Sequence, residues 1–75
     1  MEELIGYLKE IKSDVDYENE THLVTDGFLR SFDMIQIVNM IKDKYGLKIP
    51  IADLKPWNFD SVQAMFDMIE RLMDE

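Results

Sequence analysis

Apolar residues recur at helical spacing in three stretches of this chain, and that recurrence narrows the fold class more than any other feature. Leu4, Leu8, Ile11 and Val15 stand at i, i+4, i+7 and i+11, one stripe of a helix expected over about Glu2 to Lys12. Tyr7 flanks this stripe, and Gly6 weakens the helix slightly. Met34, Ile37, Val38, Ile41 and Tyr45 make a second stripe on a helix expected from Ser31 to about Tyr45, with Gly46 as its left-handed cap. Phe32, Ile35 and Asn39 fall together to one side of it. Val62, Met65, Phe66, Ile69, Leu72 and Met73 form the third stripe, with Gln63, Asp67, Glu70 and Asp74 opposite. Asp60 reads as the cap of that last helix, and Gln63 completes a capping-box-like pair. Pro50-Ile51-Ala52-Asp53-Leu54 suffices for one turn opened by proline, which Pro56 should stop. Trp57 and Phe59 then lie in the connection, closing one end. The expected architecture is all-α: a four-helix bundle with three main helices and one short one, in a single domain over 1–75.

Size and charge limit what such a bundle does. A domain of 75 residues buries only about 60% of the surface its unfolded chain exposes, so no deep catalytic cavity is expected. There are no cysteines, hence no disulfide or thiolate metal site and no sign of secretion. Sixteen acidic against eight basic residues give a formal charge of −8. That charge disfavours nucleic acid and anionic membrane as partners and favours basic protein surfaces. The apolar runs are short and the chain begins Met1-Glu2-Glu3, so neither signal peptide nor membrane insertion is expected, and the location is read as cytoplasmic. Of the six methionines, Met34, Met65 and Met73 fall on core stripes, which suits gap filling better than an adaptable binding groove.

From Ser13 to Arg30 the chain has neither helical nor strand periodicity, an unusual length of connection in so small a domain. Such loops are functional or pinned. Leu23, Val24, Phe28 and Leu29 are the expected pins, with Asp14, Asp16, Glu18, Asn19 and Glu20 facing water. Asp14-x-Asp16-x-Glu18 alternates oxygen ligands as a calcium loop does. The match then fails, because Asn19 stands at the turn glycine and Thr25 at the bidentate glutamate. His22 is the single histidine and has no cysteine or second histidine to complete a metal set. No metal site is expected.

The stretch Asp26-Gly27-Phe28-Leu29-Arg30-Ser31-Phe32-Asp33 passes from a glycine-bearing loop into the second helix with one serine at the junction. A serine there either caps a first-turn amide or presents its hydroxyl outward for modification. By residue type alone, capping is the commoner use. No Ser-His-Asp set, phosphate cradle, metal cluster or G-x-S-x-G elbow can be assembled, so the chain reads as a non-enzyme.

The pattern Asp-Gly-x-Leu-x-Ser-x-Asp around Ser31, followed by Tyr45-Gly46-Leu47-Lys48-Ile49-Pro50 and by Phe59-Asp60-Ser61-Val62-Gln63-Ala64, resembles the acyl carrier protein family. These landmarks are in register over nearly the whole chain. The resemblance implies 4'-phosphopantetheine attached covalently to Ser31, making a phosphoprotein whose arm holds an acyl or aminoacyl group as a thioester. Arg30 becomes a possible phosphate contact, and Phe32, Ile35 and Asn39 a partner-docking face. Implied partners are a phosphopantetheinyl transferase, an acyl- or aminoacyl-activating ligase, and acyl-transferring or condensing enzymes. The implied setting is fatty acid or secondary metabolite biosynthesis, with the protein a monomer. Arg30 stands where the family usually has aspartate, and the second helix is charge-balanced instead of strongly acidic. In these respects the chain looks more like specialised free-standing carriers, including D-alanyl carrier proteins. Asp60-Ser61-Val62 also resembles the family's Asp-Ser-Leu signature, but Ser61 opens the last helix without a preceding glycine loop. The alternative from another class is an unmodified acidic helical adaptor that docks a basic partner through Phe32 and Ile35.

Overall fold

The computed structural model describes residues 1–74, and every regular element among them is helical. Helix α1 spans Glu2–Ile11, α2 Ser31–Tyr45, a 3-10 turn Ile51–Asp53, α3 Pro56–Phe59 and α4 Val62–Met73. Helix α1 packs on both α2 and α4, and the short α3 packs on α4. The outcome is a helical bundle with three main helices, as the periodicity predicts.

The three stripes meet in one core, with small rotations from the predicted faces. Leu4 and Leu8 of α1 are fully buried. On α2 the buried line is Ile37, Met40 and Ile41, whereas Met34, Val38 and Tyr45 are only half-buried. On α4, Val62, Met65, Met68, Ile69 and Leu72 are buried, Phe66 is half-buried, and Met73 is exposed instead of core. Met40 and Met68 do the gap filling expected of Met34 and Met73, because unbranched thioether side chains fit irregular spaces. Gly46 closes α2 at φ 64°, and its N–H donates to the Lys42 carbonyl at 3.0 Å.

Pro56 does more than stop a turn. It holds Lys55 extended (φ −119°, ψ 146°) and then serves as the first residue of α3. Its fixed φ and missing N–H suit that position, while its bulk forbids helix in the residue before it. The expected single turn over residues 50–54 is therefore a 3-10 turn followed by a separate α-turn. Phe59 is fully buried as a floor of the core, but Trp57 is 67% exposed and closes nothing.

The long connection is irregular yet tied down. Leu23 and Leu29 are buried pins, Val24 is half-buried, and Phe28 is exposed, contrary to expectation. Val15 is buried from the loop, beyond the end of α1. Tyr17, which no periodicity singles out, is 2% exposed. Its hydroxyl donates to the Lys12 carbonyl at 2.7 Å, an acceptor left open where α1 ends, and lies 3.2 Å from the Leu8 carbonyl, which already accepts the Lys12 N–H. Burial, with the charges of Asp33 and Asp14 behind it, pushes the Tyr17 pKa up to about 12.

Asp60 holds the other half of the loop. Its carboxylate accepts from the Val24 and Thr25 N–H groups, both at 2.9 Å, and from the Thr25 hydroxyl at 2.7 Å. The Leu23 N–H donates to the Asp60 carbonyl at 2.8 Å. The predicted cap of α4 is thus spent on the loop. Ser61 caps that helix instead, accepting from the Ala64 N–H at 3.0 Å, and Gln63 donates to Asp67.

Candidate functional site at the start of α2

The helix that carries Ser31 takes its cap residue from the position just before the serine. Arg30 is the cap residue, extended at φ −111° and ψ 178°, and its carbonyl accepts the first helical bond from the Met34 N–H at 2.9 Å. Arginine has no acceptor in its side chain, so only half of a capping box forms here. The Asp33 carboxylate accepts from the Arg30 N–H at 3.1 Å. Ser31 is consequently the first fully helical residue rather than the cap. It is exposed, and its hydroxyl makes no hydrogen bond among the described residues. The capping role that residue type favours belongs to Ser61 in this fold, while Ser31 keeps its oxygen free.

Two electrostatic features surround that hydroxyl. The first-turn amides of a helix lack intrahelical acceptors and carry the positive end of its dipole, and no side chain caps them here. Arg30 is exposed beside them and forms no ion pair among the described residues. Lys12, at the end of α1, reaches Asp33 at 4.0 Å. Such a pair between partly exposed groups contributes only about 0–1 kcal/mol.

Beside Ser31 an apolar groove of about 260 Å³ follows α2, lined by Ser31, Met34, Ile35, Val38, Asn39 and, across from the helix, Leu54. The rotation of the α2 core line toward Ile37, Met40 and Ile41 turns Met34 and Val38 partly into this groove. The opposite wall is anchored. The Asn58 side-chain amide donates to the Asp53 carbonyl at 2.8 Å, and Arg71 pairs with the Asp53 carboxylate at 2.6 Å, fixing the turn that ends at Leu54.

The structure therefore brings Ser31, Ile35 and Asn39 into one feature and leaves Phe32 outside it. Phe32 and Ile35 are 68% and 61% exposed, so neither widens the core face. The groove itself was missed from sequence because it depends on Leu54, whose place across from α2 is set by the two-part turn.

Elsewhere, ligand atoms of Glu20, His22 and Asp26 come within 4.8 Å of one another. His22 and Asp26 are exposed, and the His22 ring nitrogen Nδ1 lies 3.2 Å from the Thr21 hydroxyl. Exposed carboxylates often gather this way with no ion. Asp14, Asp16, Glu18 and Asn19 face water as expected, with Glu20 half-buried. Among the described residues no helix is long and apolar enough to cross a membrane. Compared with protein-family models, curated proteins and solved structures, the chain matches none of them.

Proposed function

We propose that this bundle is a carrier protein of the acyl carrier type, with 4'-phosphopantetheine attached to Ser31. The observation that carries this reading is the solvent-exposed Ser31 hydroxyl, unclaimed by any hydrogen bond, at the first turn of a long helix. The residues fit the group. An uncapped helix start favours a phosphodiester by about 0.3–1 kcal/mol at an exposed site, and Arg30 adds a nearby cation. When bound, the arm supplies a terminal thiol on which an acyl or aminoacyl group is held as a thioester. The chain's own contribution is placement. Gly46 and the Tyr17 and Asp60 ties fix α2 and the preceding loop, so that Ser31 is offered at a constant position.

The acidic surface complements basic faces on the enzymes that would load and unload the carrier: a phosphopantetheinyl transferase, an acyl- or aminoacyl-activating ligase, and acyl-transferring or condensing enzymes. Phe32 and Ile35 give those partners an apolar foothold beside the serine. In this reading the protein is not itself an enzyme.

Intact mass spectrometry after incubation with coenzyme A and a broad-specificity phosphopantetheinyl transferase tests the proposal. The expected result is a gain of one arm per chain, absent in Ser31→Ala and retained in Ser61→Ala. An unmodified wild-type chain would overturn it. The exposure of Phe32 and Ile35 also supports a second reading, an unmodified acidic adaptor docking a basic partner through α2. That reading requires binding to a basic partner protein to survive Ser31→Ala and to fail in Phe32→Ala.

A further inference from the structure

Sorted by exposure, the charges of this chain divide in two. Between Phe28 and Trp57 five basic side chains are exposed, Arg30, Lys42, Lys44, Lys48 and Lys55, against one acidic side chain, Asp43. The other two acids of that segment are half-buried and engaged: Asp33 lies 4.0 Å from Lys12, and Asp53 pairs with Arg71 at 2.6 Å. The remainder of the chain holds thirteen acidic residues and three basic ones. Exposed apolar bulk follows the cations. Of seven large apolar side chains left in solvent among the described residues, five belong to the same segment: Phe28, Phe32, Ile35, Ile51 at 84% exposure, and Trp57. At about 100° per residue, Lys42 falls between Ser31 and Ile35 around the axis of α2, whereas Asp43 falls beyond Phe32. Arg30 precedes the near end of the groove, Lys42 stands past its far end, and Lys55 follows Leu54 on the facing wall. These three form no ion pair among the described residues. The groove is apolar and rimmed by cations, on a chain whose net charge is −8.

We propose that this face docks a protein partner that presents an apolar side chain ringed by carboxylates. Charge complementarity selects the occupant. Its sign is opposite to what net charge suggests: the −8 acts on approach from afar, while within the Debye length of about 8 Å at physiological salt the nearest charges decide contact. Exposed Phe, Trp and Arg together match the composition of an interface centre. A basic face would set its cations against Arg30, Lys42 and Lys55, and like charges across an interface cost affinity. A second copy supplies carboxylates from α1 and α4, yet beside them only Met1 and Met73 as exposed apolar bulk among the described residues. A bilayer or nucleic acid is a continuous anionic field that meets the whole acidic chain; a protein can confine its carboxylates to positions opposite the cations. The proposal concerns the folded face and holds with Ser31 modified or bare.

The sole tryptophan, Trp57, stands three residues past Leu54, so its emission is the natural probe of this wall. The test titrates the unloaded chain, at low salt, with two synthetic amphipathic helical peptides that share a leucine-rich face and differ only in the residues flanking it, glutamate in one and lysine in the other. The glutamate peptide is expected to blue-shift Trp57 emission and to move the Ile35, Asn39 and Lys55 amide signals in NMR spectra, and the lysine peptide to bind at least about tenfold more weakly. Lys42→Glu combined with Lys55→Glu, both at exposed positions, should reverse the order of the two peptides, with circular dichroism confirming an intact bundle; Ser31→Ala should leave the order as it is. The proposal is overturned by a lysine peptide that binds the wild-type face as tightly as the glutamate peptide, by a glutamate peptide that leaves Trp57 and those amides unmoved, or by an order that survives the double charge reversal. A Trp57 shift produced by raising the protein concentration alone assigns the face to a second copy, and one produced by phosphatidylglycerol vesicles but not by the glutamate peptide assigns it to lipid; either overturns the proposal. The carrier reading is decided separately, by mass gain at Ser31.

Discussion

Asp60 shows how one side chain decides a long segment. Partial burial raises its pKa, but the Thr25 N–H and hydroxyl, the Val24 N–H and the charge of His22 outweigh that, and the net shift is downward. A carboxylate lowered in the folded state contributes stability fully above its unfolded pKa of about 3.9, and loses it as pH falls through the folded value. Asp60→Ala should therefore cost about 1–3 kcal/mol near neutral pH, and the gap between wild type and variant should shrink below about pH 4. Urea unfolding at pH 7 and pH 3 measures both. The sequence marks Asp60 as special but assigns it to the wrong element: Asp-Ser before a helix offers two caps, and only the loop's path shows that Ser61 takes the helix while Asp60 takes Val24 and Thr25. Tyr17 is the opposite case. Nothing in its neighbourhood is periodic, so its burial and its bond to the end of α1 could not be read in advance.

Among the elements, α2 is the most legible and the connection after it the least. The 31–45 span of α2 and its glycine cap follow directly from spacing and composition, whereas the residues that face the core differ from the expected stripe. Apolar residues occupy more than half the circumference of α2, and periodicity cannot choose between adjacent faces when both are apolar. The segment between α2 and α4 fails for a different reason: Pro56 is both a stop and a start, and a single sequence reading has to choose one. Glycines give the sharpest test at this scale. Gly46 sits at φ 64° with open space where a Cβ would stand, and Gly6 has the same open space inside α1 without a positive φ. Gly46→Ala is expected to lose about 1–2 kcal/mol to left-handed backbone strain alone. Gly6→Ala should gain about 0.5–1 kcal/mol. Thermal unfolding checks the pair, since roughly 4–8 °C per kcal/mol is expected for a domain this small, and the two shifts must have opposite signs.

For the whole molecule, charge is the quantity that composition already reveals and folding does little to neutralise. Two ion pairs are formed among the described residues, Lys12–Asp33 and Arg71–Asp53, against sixteen acidic residues and a net charge of −8. Screening should thus relieve more repulsion than the attraction it removes. Raising sodium chloride from 20 to 500 mM, concentrations chosen to span Debye lengths from above 20 Å to below 5 Å, is expected to raise Tm by on the order of a few degrees. A fall in Tm would mean that local pairs outweigh the global field. The tied loop has its own effect at this scale. Between α1 and α2 the backbone has no regular ladder, yet Tyr17 fastens its beginning, Leu23 and Leu29 sink into the core, and Asp60 grips its middle. Lacking helix, this length of chain is nonetheless denied the slack that a protease needs to thread a substrate through its cleft, so irregularity here does not mean vulnerability.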